Sequence, residues 1–472
     1  MILRFTTLFF AALLMSGCEN EPKRKAEGTW FGGEVVNPTD HIVTLKKGDT
    51  VIAEIPLNQN HRFLYQLKNL RPGLYEFYHK ERQLVYLDEG DSVMLRLNTY
   101  DFDESLTFSG YGAIENNLLI SLFLKNEEDN SFMSQNNIYR KNPEKFSQFM
   151  DSLGRARHAY AKKIGNNQNF SPRFEQLVNA IINYDLYARK EYYPLVNATD
   201  SKMELINELP DDFYSYHKDL SFDQINYLPC YAYKRFLIGY FNLAAFKKYA
   251  EEGTYDNKSY MHINYEMRLI DSLVPNRTIK SYLLTRSLRD YLTNNGEVDK
   301  GQKLYDLYLD SDPDRSDRAE METLFNSFKK IAPRQPLPDE TVINTNLKTK
   351  KLRDLIQRPT VLYFWSSDRK RHMQRAASHA ETLREHFPQY DVIGLNLDHD
   401  PKAWLRDLNM LKSPGKYAYQ FKDREDEVLG DLAIHSSVKT IITDKNGIIL
   451  DAHANMFSRD FEEKLLGYLN TE

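Results

Sequence analysis

The spacing of apolar residues changes twice along this chain, and each change dictates a different kind of layer. From Thr29 to Ser109 apolar and polar residues alternate in short runs, among them HIVTLKKGDTVIAEIPL, HRFLYQLKNL, GLYEFYH and LVYLDEGDSVMLRLN. Gly48-Asp49, Asn58 to Asn60, Pro72-Gly73 and Glu89 to Asp91 divide the runs. A period of two between turn signals predicts antiparallel strands. Such strands bury one face each, so residues 29–112 are expected to form a β-sandwich domain.

The period then lengthens. Phe146, Phe149, Leu153, Ala156, Tyr160 and Ile164 recur every three or four residues, as do Phe174, Leu177, Val178, Ile181 and Ile182, and later Leu324, Phe325, Phe328 and Ile331. These stripes are core faces of helices. Asn142-Pro143, Ser171-Pro172, Leu209-Pro210, Val274-Pro275 and Asp312-Pro313 break the stretch into seven or eight helices. No fixed repeat period is visible, which predicts an all-α bundle over residues 113–332 and not a solenoid. Cys230 lies in the aromatic run Tyr227-Leu-Pro-Cys-Tyr-Ala-Tyr. A thiol in apolar surroundings is a poor nucleophile, so Cys230 reads as structural.

Pro333 to Pro338 (PRQPLP) reads as a stiff linker, extending over 333–346. Beyond it, in 347–472, strands and helices alternate. Thr360 to Trp365 is a continuous apolar strand, with a helix from about Arg369 to His386. Val392 to Asp398 is the second strand and Pro401 to Leu411 the next helix. Lys439 to Asp444 pairs with Gly447 to Asp451, and a closing helix carries Phe461, Leu465 and Leu469 behind a Ser458 cap. This order predicts an α/β domain whose central sheet is covered on both faces.

Phe364-Trp365-Ser366-Ser367 and the Asp444-x-x-Gly447 turn resemble motifs of the thioredoxin-like domain of membrane-anchored envelope oxidoreductases of the TlpA/ResA type. Over 29–112, Asp88-Glu89-Gly90-Asp91, Phe108-Ser109-Gly110 and Glu115-Asn116-Asn117-Leu118 resemble the amino-terminal β domain found on many such lipoproteins of Gram-negative bacteria. The resemblance implies a thioredoxin-like fold for the last quarter of a multidomain chain. It also locates what is missing. Asp368 stands at the usual active-site Trp, Arg369 and His372 at the two cysteines, and Val438 at the cis-proline.

Dithiol exchange needs one thiolate to attack and a second thiol to resolve the mixed disulfide. Neither Arg nor His supplies one, so this chain is expected not to be an enzyme of that kind. His372, His379, His435 and His453 are the candidate metal ligands nearby. Two turns of helix hold His372 and His379 about 10 Å apart, too far to share an ion. No metal and no cofactor is therefore expected. The surviving site is a candidate groove of Trp365, Asp368, Arg369, Lys370, His372, Ser437 and Val438. Three consecutive cations at a helix start oppose the helix dipole, unless Asp368 caps them or an anionic group docks there.

The amino terminus sets the expected location. Arg4 precedes the apolar run Phe5 to Met15, which is followed by Ser16, Gly17 and Cys18. The run is shorter than the roughly 20 residues that cross a bilayer, so it reads as a signal peptide over residues 1–17. Leu14-Met15-Ser16-Gly17-Cys18 resembles the bacterial lipobox, with Met15 where Leu is usual. The resemblance implies acylation of Cys18, with residues 18–28 as a tether and the body held at the cell envelope, on the periplasmic face of the outer membrane or at the surface. With Cys18 so used, Cys230 has no partner for a disulfide within one chain.

A net charge of −5, from 62 Lys and Arg against 67 Asp and Glu, argues against nucleic acid. The expected partners are the lipid bilayer, through Cys18, and an envelope protein, peptide or glycan. Two function classes follow: a redox-inactive binding or scaffold lipoprotein, and a thiol-disulfide oxidoreductase using Cys230 or a cysteine supplied by a partner.

Overall fold

The computed structural model describes residues 28–165, 170–197, 206, 208–249, 256–398, 400–411, 415–422, 430–434 and 438–470. The signal segment, Cys18, His435 and Ser437 lie outside these. The chain divides into two compact units, one of residues up to Tyr187 with Asn226–Lys234, the other of Ala188–Ile225 with the chain from Arg235 onward.

In the first unit, β1 (Thr29–Val36), β4 (Arg62–Leu67), β7 (Ser92–Asn98) and β8 (Thr107–Ser109) form one sheet in the order β4-β1-β7-β8. β2 (Ile42–Lys47), β3 (Thr50–Pro56), β5 (Gly73–His79) and β6 (Glu81–Leu87) form another, in the order β3-β2-β5-β6. Phe31, Val35, Val43, Leu45, Phe77, Val85 and Leu95 from both sheets share one core. The strands are not all antiparallel, because β1 runs parallel to β7 with Trp30 opposite Ser92 and Val36 opposite Asn98. Alternation reports which face is buried but carries no information on direction.

After a short turn of helix, α1 (Phe102–Ser105), comes α2 (Ala113–Gln135), whose start is set by glycine. Gly110 has φ +89°, and a Cβ there would lie 2.0 Å from the Ser92 carbonyl oxygen. Only glycine fits so close a backbone. The next residues fasten the helix to both sheets. The Asn116 side chain donates to Tyr86 O (2.8 Å) and accepts from Tyr86 N (2.7 Å), while that of Asn117 does the same at Phe108 (2.9 Å for each). Tyr86 lies on β6 and Phe108 on β8, the last strand of each sheet. Two adjacent amides therefore close both sheet edges.

The helices between 113 and 332 are shared between the two units. α2, α3 (Pro143–Gly165) and α4 (Pro172–Val196) as far as Tyr187 belong to the first unit, as does the start of α5 (Tyr231–Tyr249). The rest of α5, with α6 (Tyr260–Leu273), α7 (Arg277–Asn294), α8 (Val298–Asp310) and α9 (Arg315–Lys330), belongs to the second. Ser259 and Asn276 cap α6 and α7 by accepting from the backbone N–H groups of His262 and Ile279.

The second unit also contains a seven-stranded sheet, in the order β10-β9-β13-β12-β11-β14-β15. Its strands are β9 (Thr341–Asn344), β10 (Thr349–Lys351), β11 (Thr360–Trp365), β12 (Asp391–Asn396), β13 (Ala418–Phe421), β14 (Thr440–Thr443) and β15 (Ile449–Ala454). β12 lies parallel to β11 on one side and β14 antiparallel on the other, followed by antiparallel β15. That arrangement is the one implied by a thioredoxin-like fold. Every residue of β11 is buried, with Leu362 and Phe364 in one core and Val361, Tyr363 and Trp365 in the other, as two covered faces require.

Three details differ from the sequence reading. β13 is an additional strand, parallel to β12. The segment read as linker contributes β9, and Arg334 N and Leu337 N donate to Ile449 O and Gly447 O alongside β15. The closing helix (Phe461–Leu469) has Asp460 at its N-cap with no side chain accepting, while Ser458 instead donates to Asn455 O.

Candidate functional site

The candidate site begins where β11 ends. Trp365 is 3% exposed and packs in the core with Met373 and Ala376, so its ring offers no surface to a ligand. The chain then turns through Ser366 and Ser367 into α10 (Lys370–His386). One carboxylate holds this turn. Asp398 accepts from Ser366 Oγ (2.5 Å) at one oxygen, and from Ser367 N (2.7 Å) and Asn396 Nδ2 (2.9 Å) at the other. Gln420 on β13 completes the network, donating to Asn396 Oδ1 (2.9 Å) and to the Asp398 carbonyl (2.8 Å). Burial opposes ionisation of Asp398, but the hydrogen bonds from Ser366, Ser367 and Asn396 outweigh it. They hold the carboxyl below its ordinary pKa.

Asp368 does not cap the helix. Arg369 occupies the N-cap, no side chain accepts there, and Asp368 is exposed with its N–H directed to Ser366 Oγ (3.3 Å). Arg369, Lys370 and Arg371 are exposed beside it. The helix start is thus basic and carries no acidic residue in its first turn.

His372 is partly buried, its ring edge-on to Phe457 with centroids 5.8 Å apart. Neither ring nitrogen has a hydrogen-bond partner. Burial, and then the charges of Arg369 and Arg375, lower its pKa, so the imidazole is neutral at neutral pH. Phe457 also receives the Arg375 guanidinium 4.2 Å above its ring and lies 5.5 Å from His379, which bonds to Met456 O (2.7 Å). One aromatic ring therefore covers the face of α10 that carries His372, Arg375 and His379.

Val438 is 39% exposed, two residues before β14 begins at Thr440. Its neighbour Lys439 turns inward and donates to Leu432 O (3.0 Å) and Ala433 O (2.9 Å). Burial lowers the amine to about 7, opposed by the charge of Asp451. His453 is partly buried, with one ring nitrogen on Thr293 O (3.1 Å) and the other unpaired. Burial and then Lys439 push it down to about 3, against the Thr293 bond. Asp398 and Lys439 were not legible as site residues. VIGLNLD reads as a strand, and KTIITD as the next, with no sign that their terminal charges tie down loops. Among the described residues no three His, Cys, Asp or Glu side chains gather as a metal site.

Cys230 is buried in the first unit, near the Arg82–Glu76 ion pair. Burial pushes its thiol up to about 12, although Arg82 and Lys234 pull the other way. Such a thiol furnishes almost no thiolate at neutral pH.

No family model matches this chain, and no curated protein does. Solved structures do. The thioredoxin domain of a thiol-disulfide oxidoreductase from Bacteroides vulgatus is 17% identical, over 29% of this chain and 99% of that one, with a TM-score of 0.26. A thiol:disulfide interchange protein from Bacteroides sp. is likewise 17% identical, over 30% of this chain and 93% of that one, with a TM-score of 0.24. The activities in those names belong to those proteins.

Proposed function

We propose that this protein is a lipid-anchored envelope protein whose thioredoxin-like domain no longer exchanges disulfides and instead serves as a binding or scaffold module. What supports this reading is chemical: the resemblance of Phe364–Ser367 to the family motif puts Arg369 and His372 where the two thiols would be. Neither accepts a disulfide sulfur. The sulfur nearest in sequence, that of Met373, is a buried thioether. The turn itself is not left loose, since Asp398 fixes Ser366 and Ser367. A retained turn without its chemistry supports recognition as the remaining task. Arg369, Lys370 and Arg371 give that surface a positive charge, which suits an acidic group on an envelope protein, peptide or glycan. Anchoring rests on the resemblance of Leu14–Cys18 to a lipobox. Among the described residues no helix is long and apolar enough to cross a membrane.

One experiment on the native membrane tests both halves. Wild-type chain captured by cross-linking should bring down partners that the double variant Arg369→Glu, Lys370→Glu loses, with an unchanged melting temperature. A Cys18→Ala chain should take up no palmitate. Insulin reduction by the purified wild type would overturn the non-redox reading, and an unchanged partner set in the charge-reversed variant would remove the helix start as the contact surface.

A further inference from the structure

Within the first unit, α2, α3, α4 and the residues just after Pro229 leave between them a cavity of about 100 Å³. Its wall is made by Leu119, Leu122, Phe123, Ile181, Leu186 and Cys230. Several of these, Phe123, Ile181 and Leu186, are only partly buried, although nothing in their chemistry favours contact with water. Helix faces that could have closed on one another instead line a crevice. Tyr231, 59% exposed, stands at its wall and marks the way to solvent.

The polar groups around the wall argue for an uncharged guest. Arg157 and Asp185 bring one charge of each sign, and Gln83 and Asn126 bring amides. The Arg157 guanidinium is already committed to the Asp129 carboxylate and the Lys125 carbonyl. An ionised guest would lose its hydration and find no unpaired charge of opposite sign there. Cys230 adds polarisable surface without reactivity, since its thiol stays protonated.

We infer that this cavity is a binding site for a small uncharged amphiphile whose apolar part is a chain of about four carbons. Size sets the chain length, because a cavity of about 150 Å³ is what benzene fills in a well-packed protein interior. The site is independent of the reading given for the start of α10, and neither depends on the other.

A homologous series of 1-alkanols from propanol to octanol tests it on the full mature chain, followed by the methyl resonances of leucine and isoleucine. Saturable shifts should centre on Leu119, Leu122, Ile181 and Ile182. Affinity should rise about four-fold for each added methylene, then level off or fall beyond butanol or pentanol. Hexanoate and hexylamine should bind at least about ten-fold more weakly than hexanol. Ile181→Phe and Leu186→Phe fill the cavity from partly exposed positions, and each should abolish the shifts while the chain remains folded. Affinity that climbs steadily through octanol, shifts that never saturate, or filled variants that bind like wild type would overturn the proposal.

Discussion

The two units offer a contrast in how side chains hold backbone in place. In the first, the neutral amides of Asn116 and Asn117 each make a two-way bond with a strand. In the second, a carboxylate at Asp398 and an ammonium at Lys439 do comparable work at the loops flanking the candidate site. An amide clamp is indifferent to pH. The charged clamps are not, so the loops held by Asp398 and Lys439 answer to acid and to base while the bonds of Asn116 and Asn117 do not.

The sharpest way to break this contrast is at Asn116. Replacing it by Ala leaves the buried Tyr86 N–H and carbonyl without partners and should cost about 3 kcal/mol. The loss, measured by urea unfolding, should be the same at pH 5 and pH 8. A cost that varied with pH would show that the amide clamp is coupled to a titrating group.

Asp398 should give a smaller effect that does depend on pH. Asp398→Ala frees Ser367 N–H and Ser366 Oγ at a partly exposed turn, for about 1–2 kcal/mol at pH 7. The folded pKa is depressed, so the stabilisation is complete above the ordinary carboxylate value of about 3.9 and disappears as pH falls through the folded value. The gap between wild type and Asp398→Asn should therefore close on acidification. A gap that persisted would assign the stabilisation to shape and not to charge.

Lys439 should give the smallest effect at neutral pH, about 1 kcal/mol for Lys439→Met, because the variant removes a desolvated amine but leaves two carbonyls unpaired. Its slope is the diagnostic. The folded chain gives up this proton near 7, whereas the unfolded chain keeps it to about 10.5. Between those values the unfolded state binds more protons, so wild-type stability gains from this residue as pH rises. Below about 7 both states are protonated and the gain is absent. Lys439→Met should show a flatter profile from pH 7 to 9.5, and an unchanged slope would refute the assignment.

The sequence made β11 plain, because a strand covered on both faces must be apolar at every position, and Thr360 to Trp365 very nearly is. The positions of Arg369 and His372 at the start of a helix were legible for the same reason, since they are counted from that strand. What stayed hidden was set by partners far along the chain. Asn116 and Tyr86 are 30 residues apart, and Ser366 and Asp398 are 32. No local pattern encodes such pairs. The Ser458 cap failed on geometry, as the hydroxyl turned back to Asn455 and left Asp460 at the N-cap. β13 escaped notice because its four residues, Ala418 to Phe421, are too short for any period to register.

The course of the chain around Pro336 has a consequence for life at high density. β15 ends the hydrogen-bonded sheet, yet Arg334, Gln335 and Leu337 pair with Ile449 and Gly447 along its outer side. The opposite margin is Thr349–Lys351, three exposed residues including two lysines. A sheet propagates from one molecule to the next only through an unsatisfied, flat margin. One margin of this sheet is capped at its start by the chain itself and the other is short and positively charged, so this sheet offers crowded neighbours a poor template on which to polymerise.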